Sequence, residues 1–280
     1  MNYYCLIAGL PEIEIDAGKT VFTVVNFKKD VYPQLSGKDA VLIDVFYTKF
    51  DNMNLLRYLK DKEVSFDPLG NLTKEEMEEC IRLIGEGDDP KNKYFPPYFK
   101  IFIEEYKDIQ HVDIENSARW EDRLTDLYYR WAMKCNNKFV AEWYEFNLNF
   151  NNILSTYMGR KHQMEPAPIG DNEIAESIKT SNQRDFGLTG TVDELDTYQR
   201  IAEEPDLYER EKKIDLLKWQ RLDEQTFFRF FGIESMFAYL VKLEIVERWV
   251  NLDPNEGEKI FRGLIDKLKE SVVNSSDSIN

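Results

Sequence analysis

The side chains able to do chemistry are few, and their spacing serves no familiar reaction. Histidine occurs twice, as His111 and His162. Asp108 and His111 stand three apart, but a di-metal carboxylate bundle needs two Glu-x-x-His helices and two further glutamate helices. The residue three before His162 is Gly159. Cys5, Cys80 and Cys135 are odd in number and widely spaced, so they read as reduced, structural thiols, not a disulfide frame. Glu75, Glu76, Glu78 and Glu79 surround Cys80 and would quieten it, and Cys135 has only Lys134 beside it. Gly85-Glu86-Gly87 runs into Asp88 and Asp89, which repel a phosphate and lack the spacing of a calcium loop. No Gly-x-Ser-x-Gly elbow, His-Glu-x-x-His helix or kinase set occurs. The acid run at 75–79 suits general acid–base work only if a carboxylate is desolvated, and it reads as a solvated helix face. The sequence predicts no catalytic residue, no cofactor and no metal site.

What it does hold is material for contacts between proteins. Arg119-Trp120, Trp131, Trp143 and Trp219 are large anchors of the kind over-used at interfaces. Trp131 and Trp219 lie on apolar helix faces and are expected in the core, whereas Trp120 and Trp143 have charged neighbours and suit either role. The chain of 280 residues carries 36 basic and 52 acidic side chains, a net charge of −16, which excludes DNA or RNA as a direct partner. Its 14% aromatic content excludes disorder. No apolar stretch reaches the roughly 20 residues of a membrane helix. The N-terminus lacks a basic region before an apolar core, so no secretory signal and a cytoplasmic location are expected.

The elements that must position these residues are mostly helical. Tyr3–Leu10 and Thr20–Phe27, rich in β-branched and aromatic residues, suggest a short β element at the N-terminus. Ser36 with Asp39 caps a helix carrying Val41 to Leu59, and the Thr73/Glu76 capping box opens another through Ile84. Pro96-Pro97 starts a short helix ending near Lys107. Asn116 to about Lys161 reads as one long helical tract, and 171–200 as a connecting region with a single helix. Asp206 caps a helix through Trp219, Asp223 or Thr226 starts another through Trp249, and Asp253-Pro254 restarts an amphipathic one. The expected organisation is an N-terminal unit at 1–110, a central helical unit at 111–170, a connector at 171–204, a C-terminal helical unit at 205–273 and a frayed tail at 274–280.

Two internal echoes suggest repeated helical units. Glu121, Trp131 and Phe139 share their spacing with Glu209, Trp219 and Phe227. Phe50-Asp51-Asn52-Met53-Asn54-Leu55-Leu56 is similar to Leu148-Asn149-Phe150-Asn151-Asn152-Ile153-Leu154.

Asn2-Tyr3-Tyr4-Cys5-Leu6-Ile7-Ala8-Gly9-Leu10-Pro11 resembles the start of a bacterial family without assigned activity whose genes lie among those of the V-type (archaeal-like) rotary ATPase. Phe50 to Arg57, Trp143 to Lys161 and Tyr208 through Trp249 fit the same family, and together the stretches span most of the chain. The Phe50–Arg57 stretch also resembles a motif of the V-type ATPase C (or d) subunit, an all-helical funnel of three similar units. The Tyr-rich N-terminal helix of that subunit is not evident here, and the first unit lacks the Glu-Trp-Phe spacing. The resemblance implies a non-catalytic socket between the central rotor shaft and the membrane ring. Shaft and ring would be the partners, with no direct membrane insertion and a peripheral place at the inner membrane. Phe50, Asp51, Asn54, Arg57, Trp120, Trp143, Asn152 and Glu234 are the expected interface or unit-defining residues. An assembly or regulatory factor of the same ATPase, or an enzyme with an unrecognised helical site, are the alternatives.

Overall fold

Local capping decides where the chain turns. A computed structural model describes residues 3–15, 20, 22–109, 117–164 and 167–252, and every regular element among them is helical. The helices are α1 (Tyr4–Ala8), α2 (Val24–Asn26), α3 (Gly37–Lys60), α4 (Lys74–Glu86), α5 (Pro97–Ile109) and α6 (Ser117–Ala132). There follow α7 (Lys138–Lys161), α8 (Glu173–Thr180), α9 (Leu195–Glu203), α10 (Leu207–Thr226) and α11 (Ile233–Asn251). Ser36, Thr73, Asn137, Asn172 and Asp206 each accept a backbone N–H of the first turn they precede. Thr73 and Glu76 complete the expected capping box, and Gly87, at φ +86°, closes α4 in a left-handed conformation that glycine adopts without strain.

Among the described residues the expected β element is replaced by helix. Tyr4–Ala8 is helical, and Thr23 forms a capping box with Asn26 that opens α2. From α2 the chain continues as a π-helical turn over Phe27–Val31 and a 3₁₀ turn over Tyr32–Gln34. Strand preference is a measure of fit to a sheet, and without a neighbouring strand the cap prevails. The tract from 116 to 161 is two helices broken at 133–137, because the Asn137 side chain takes the N–H of Val140 at 3.1 Å. In the same way α10 runs on to Thr226, and α11 starts only after Gly232. The region 171–200 holds two helices, α8 and α9, both packed on α7. The helix expected after Asp253 lies outside the described residues.

Four helices form a closed ring: α3 packs on α6, α6 on α7, α7 on α11, and α11 back on α3. The two longest, α3 and α7, have 24 residues each, and set the length of the body at about 36 Å. Around the ring, α5 covers α6, α4 covers α5, α8 and α9 cover α7, and α10 covers α11. One continuous apolar core runs from Tyr3 to Ile245.

The middle of the ring is aromatic. Phe237 of α11 is wholly buried, with ring centroids 6.1 Å from Phe139, 6.3 Å from Tyr144 and 6.5 Å from Phe46. Three of the four ring helices therefore meet on one side chain. Truncating it to Phe237→Ala should cost about 3–5 kcal/mol, read as a lowered urea midpoint with an unchanged slope.

Candidate functional site

The motif from Phe50 to Arg57 folds into a latch. Asn54, wholly buried on α3, bonds both backbone groups of Asp67 in the returning loop: its Nδ2 donates to the Asp67 carbonyl at 3.1 Å, and its Oδ1 accepts the Asp67 N–H at 2.8 Å. One turn earlier, buried Asp51 accepts the N–H groups of Asn71 and Leu72, each at 3.0 Å. Gly70 is the close approach: a Cβ there would stand 2.6 Å from Asp51 Oδ1 and 2.9 Å from Asn54 Nδ2. Lys28 Nζ, from the π-helical turn, closes the loop by donating to the carbonyls of Pro68, Leu69 and Gly70.

The same device recurs on α7. Asn152 Nδ2 donates to the Ile169 carbonyl at 2.7 Å, and its Oδ1 accepts the Ile169 N–H at 2.9 Å. Asn149, in the place of Asp51, accepts from Asn172 Nδ2 at 2.7 Å. The loop glycine is Gly170 at φ +93°, and Lys179 Nζ donates to its carbonyl at 3.0 Å, the job Lys28 does in the first unit. Each loop then ends in a capped helix, at Thr73 for α4 and Asn172 for α8. The 50–56 and 148–154 echo is thus a repeat of structure. The Glu-Trp-Phe echo is not, because Phe139 is buried after a turn, in α7, whereas Phe227 is exposed before one, at the end of α10.

Between the ring helices and α10 lies a cleft of about 490 Å³, within the range of ligand sites. Phe46, Tyr128, Trp143 and Tyr144 form its apolar wall. Its charges are mostly engaged. Lys49 bonds Glu244 across α3 and α11, Asp215 takes Arg248 and the Trp249 indole N–H at 2.7 Å, and Glu247 accepts the N–H of Val24. Burial holds the Lys49 ammonium below its ordinary pKa against the pull of Glu244, and raises that of Glu247. Burial also lowers Lys218, whose ammonium stands 5.9 Å from the Phe150 ring. With Glu244, Asp215 and Glu247 each bonded to a partner, the cleft pins α3, α10 and α11 together. Among the described residues no group of three or more His, Cys, Asp or Glu side chains could hold a metal ion.

Of the eight expected residues, Asp51, Asn54 and Asn152 belong to the two latches, and Phe50 lines the cleft and packs on Phe46 and Tyr47, at 6.3 and 6.4 Å. Trp120 packs on Tyr106 and Phe102, at 4.9 and 5.7 Å, and Trp143 is buried against Phe146, so both are core. Trp131 and Trp219 also pack on the core, as expected. Glu234 accepts from Asn137 at 2.9 Å and ties the α10–α11 turn to the α6–α7 turn. Arg57 is exposed. Cys80 is buried, and burial together with Glu76 and Glu79 raises its thiol pKa, in line with an inert role. His111 lies outside the described residues. Sequence reasoning missed Lys28, Lys179 and Lys218, which no local pattern marks. It also missed the exposure of Phe227, Phe228, Phe230 and Phe231, although the run Phe-Phe-Arg-Phe-Phe before Gly232 was its signal.

One family profile, described as "Protein of unknown function (DUF2764)", matches residues 1–272. No curated protein and no solved structure matches the chain.

Removing either latch should be costly, since it leaves a backbone N–H and carbonyl unpaired. Asn54→Ala and Asn152→Ala should each lose about 2–4 kcal/mol by urea unfolding, whereas Asn147→Ala, which gives up one bond to the Trp143 carbonyl, should lose about 1 kcal/mol. Asp51 supplies a pH signature. Burial raises its pKa to about 7, against the hydrogen bonds of Leu72 and Asn71 and the charge of Lys28. The folded state thus keeps a proton that the unfolded chain, with a carboxyl near 3.9, releases. Stability from this group is present below about pH 4, falls as the pH rises to about 7, and is level above. Asp51→Asn should flatten that part of the Tm–pH curve; an unchanged curve would assign the slope to other groups.

Proposed function

The chain belongs to this family of proteins of unknown function, and from that footing we propose that it is a non-catalytic subunit of a bacterial V-type rotary ATPase, the socket that joins the central rotor shaft to the membrane ring. The observation that carries the reading is the duplicated latch. The stretch resembling the C-subunit motif, Phe50 to Arg57, holds a loop to its helix through Asn54, and Asn152 repeats the bond pattern one unit later. Residues of that motif are therefore devoted to stiffness, which is what a torque-bearing part requires. A socket of this kind needs no reacting groups, and the tied charges of the central cleft fit that role. The net charge of −16 would steer the body toward basic surfaces on its partners. No helix among the described residues is long and apolar enough to cross a membrane, so attachment would be peripheral, on the cytoplasmic side, through the complex.

A tagged pull-down of the chain from its native host, in mild detergent and low salt, tests this. Shaft and ring subunits should be recovered with the chain at one copy per rotor by mass spectrometry. Substoichiometric recovery would instead make it an assembly or regulatory factor, and absence of both subunits with the chain folded would overturn the proposal.

A further inference from the structure

The turn between α10 and α11 breaks the usual rule for apolar side chains. Phe228 is 88% exposed, Phe227 60%, Phe230 57% and Phe231 38%, and Tyr4, with its ring 4.4 Å from that of Phe231, is 61% exposed. Phe227 touches Phe228 and Phe230, at centroid separations of 4.8 and 6.1 Å, so the rings make one contiguous knob. An exposed aromatic patch of this kind marks a contact with another phase or molecule. The knob is held from three sides. The Tyr3 N–H donates to the Phe231 carbonyl at 2.8 Å, Asn137 bonds Glu234, and the Arg229 guanidinium lies 5.9 Å from the Phe139 ring. Inside the turn, Arg229 N–H reaches the Thr226 carbonyl at 2.8 Å and Gly232 N–H the Arg229 carbonyl at 3.3 Å.

Charge at this end runs against that of the chain. The three segments that meet there, 4–9, 133–138 and 227–232, contain Lys134, Lys138 and Arg229 and no acid, in a protein of net charge −16. Acids border these segments, and Glu234 and Glu142 are engaged there. Glu234 is bonded to Asn137, Glu142 stands 3.5 Å from Lys138, and Glu224 sits before the last residues of α10. The tip presents four exposed phenylalanines and one exposed tyrosine beside three cations. It matches a lipid interface, where apolar rings enter the headgroup–acyl boundary, cations meet anionic headgroups, and a tyrosine at the edge keeps its hydroxyl in the polar layer.

We propose that the Phe227–Phe231 knob, with Lys134, Lys138 and Arg229 around it, is a shallow docking site for the surface of an anionic lipid bilayer. This goes beyond the socket reading and stands without it. It also goes beyond the sequence expectation, which foresaw no segment entering the bilayer. The rest of the acidic surface would be repelled by such a bilayer, so binding would be oriented, knob first.

The test is vesicle flotation with the purified full chain. It should float with phosphatidylcholine vesicles containing phosphatidylglycerol at low salt, much less with phosphatidylcholine alone, and less as salt rises. Phe228→Asp and Phe230→Asp should each cut the partition coefficient by tenfold or more, and Lys138→Glu and Arg229→Glu by about fivefold each. Because Phe228, Phe230 and Lys138 are exposed, those three variants should keep the parent Tm and far-UV spectrum, so a loss of binding in them cannot be a loss of folding. Equal flotation of parent and knob variants, or no flotation of the parent with anionic vesicles, overturns the proposal. So does the appearance, without vesicle binding, of a self-associated species or a co-purifying protein that Phe228→Asp abolishes.

Discussion

The fold depends on one hydrogen-bonded pair of tyrosines at the middle of the helix ring. The Tyr128 hydroxyl lies 2.9 Å from the Val45 carbonyl and 2.9 Å from the Tyr144 hydroxyl. A carbonyl can only accept, so Tyr128 gives its proton to Val45 and takes that of Tyr144. Burial pushes the pKa of both phenols far up, so both remain neutral donors. Three ring helices, α3, α6 and α7, are joined by this relay, and Phe237 of α11 lies against the Tyr144 ring. In apolar surroundings each hydroxyl would be expensive to leave unpaired, so the relay permits only one relative placement of the helices. Rings alone would tolerate sliding; the relay fixes the depth of each helix against the next.

The two latches apply the same constraint to the loops. A loop that returns along a long helix must satisfy its backbone groups without a neighbouring strand. An asparagine does this with two bonds from one side chain, one given and one taken, to a single residue. The difference between the units is instructive. The first uses a carboxylate, Asp51, with Lys28 reaching the loop carbonyls from the N-terminal turn; the second uses a neutral amide, Asn149, with Lys179 reaching back from α8. The geometry is kept while the charge and the source of the cation change, so the latch is set by hydrogen-bond directions and not by charge pairing.

The helical class, the caps at Ser36, Thr73 and Asp206 and the echo of 50–56 in 148–154 were legible because each is a local pattern. Reading failed where a decision was not local. Tyr3–Leu10 and Thr20–Phe27 have strand-forming composition, yet no strand lies beside them, and the Thr23–Asn26 cap settles the second segment. Aromatic spacing is equally blind to turns: the interval from Trp219 to Phe227 matches that from Trp131 to Phe139, but only the latter crosses a turn. Trp120 and Trp143 looked open to contacts because their sequence neighbours are charged. Along a helix the neighbours in sequence point elsewhere, and both indoles face aromatic rings three or four residues away or on the next helix. The cleft draws on side chains from Val24 to Asn251, and no window of sequence contains it.

Charge and shape together give this body two unlike ends. Two of its cross-helix ion pairs, Lys49–Glu244 and Arg248–Asp215, lie along the central cleft, and the chain as a whole carries a net charge of −16. The α6–α7 and α10–α11 turns, locked to each other by Asn137 and Glu234, differ from it: Lys134, Lys138 and Arg229 stand around exposed phenylalanine rings, and the acids beside them, Glu234 and Glu142, are bonded to Asn137 and paired with Lys138. A field of this form orients a molecule before it touches anything, because the acidic body and the cationic tip are drawn to surfaces of opposite sign. Orientation is useful only if the body keeps its shape on arrival. The tyrosine relay, the twin latches and the tied cleft all resist bending between the tip and the far ends of α3 and α7. Stiffness and charge asymmetry are thus two properties that the proposed socket role would draw on together.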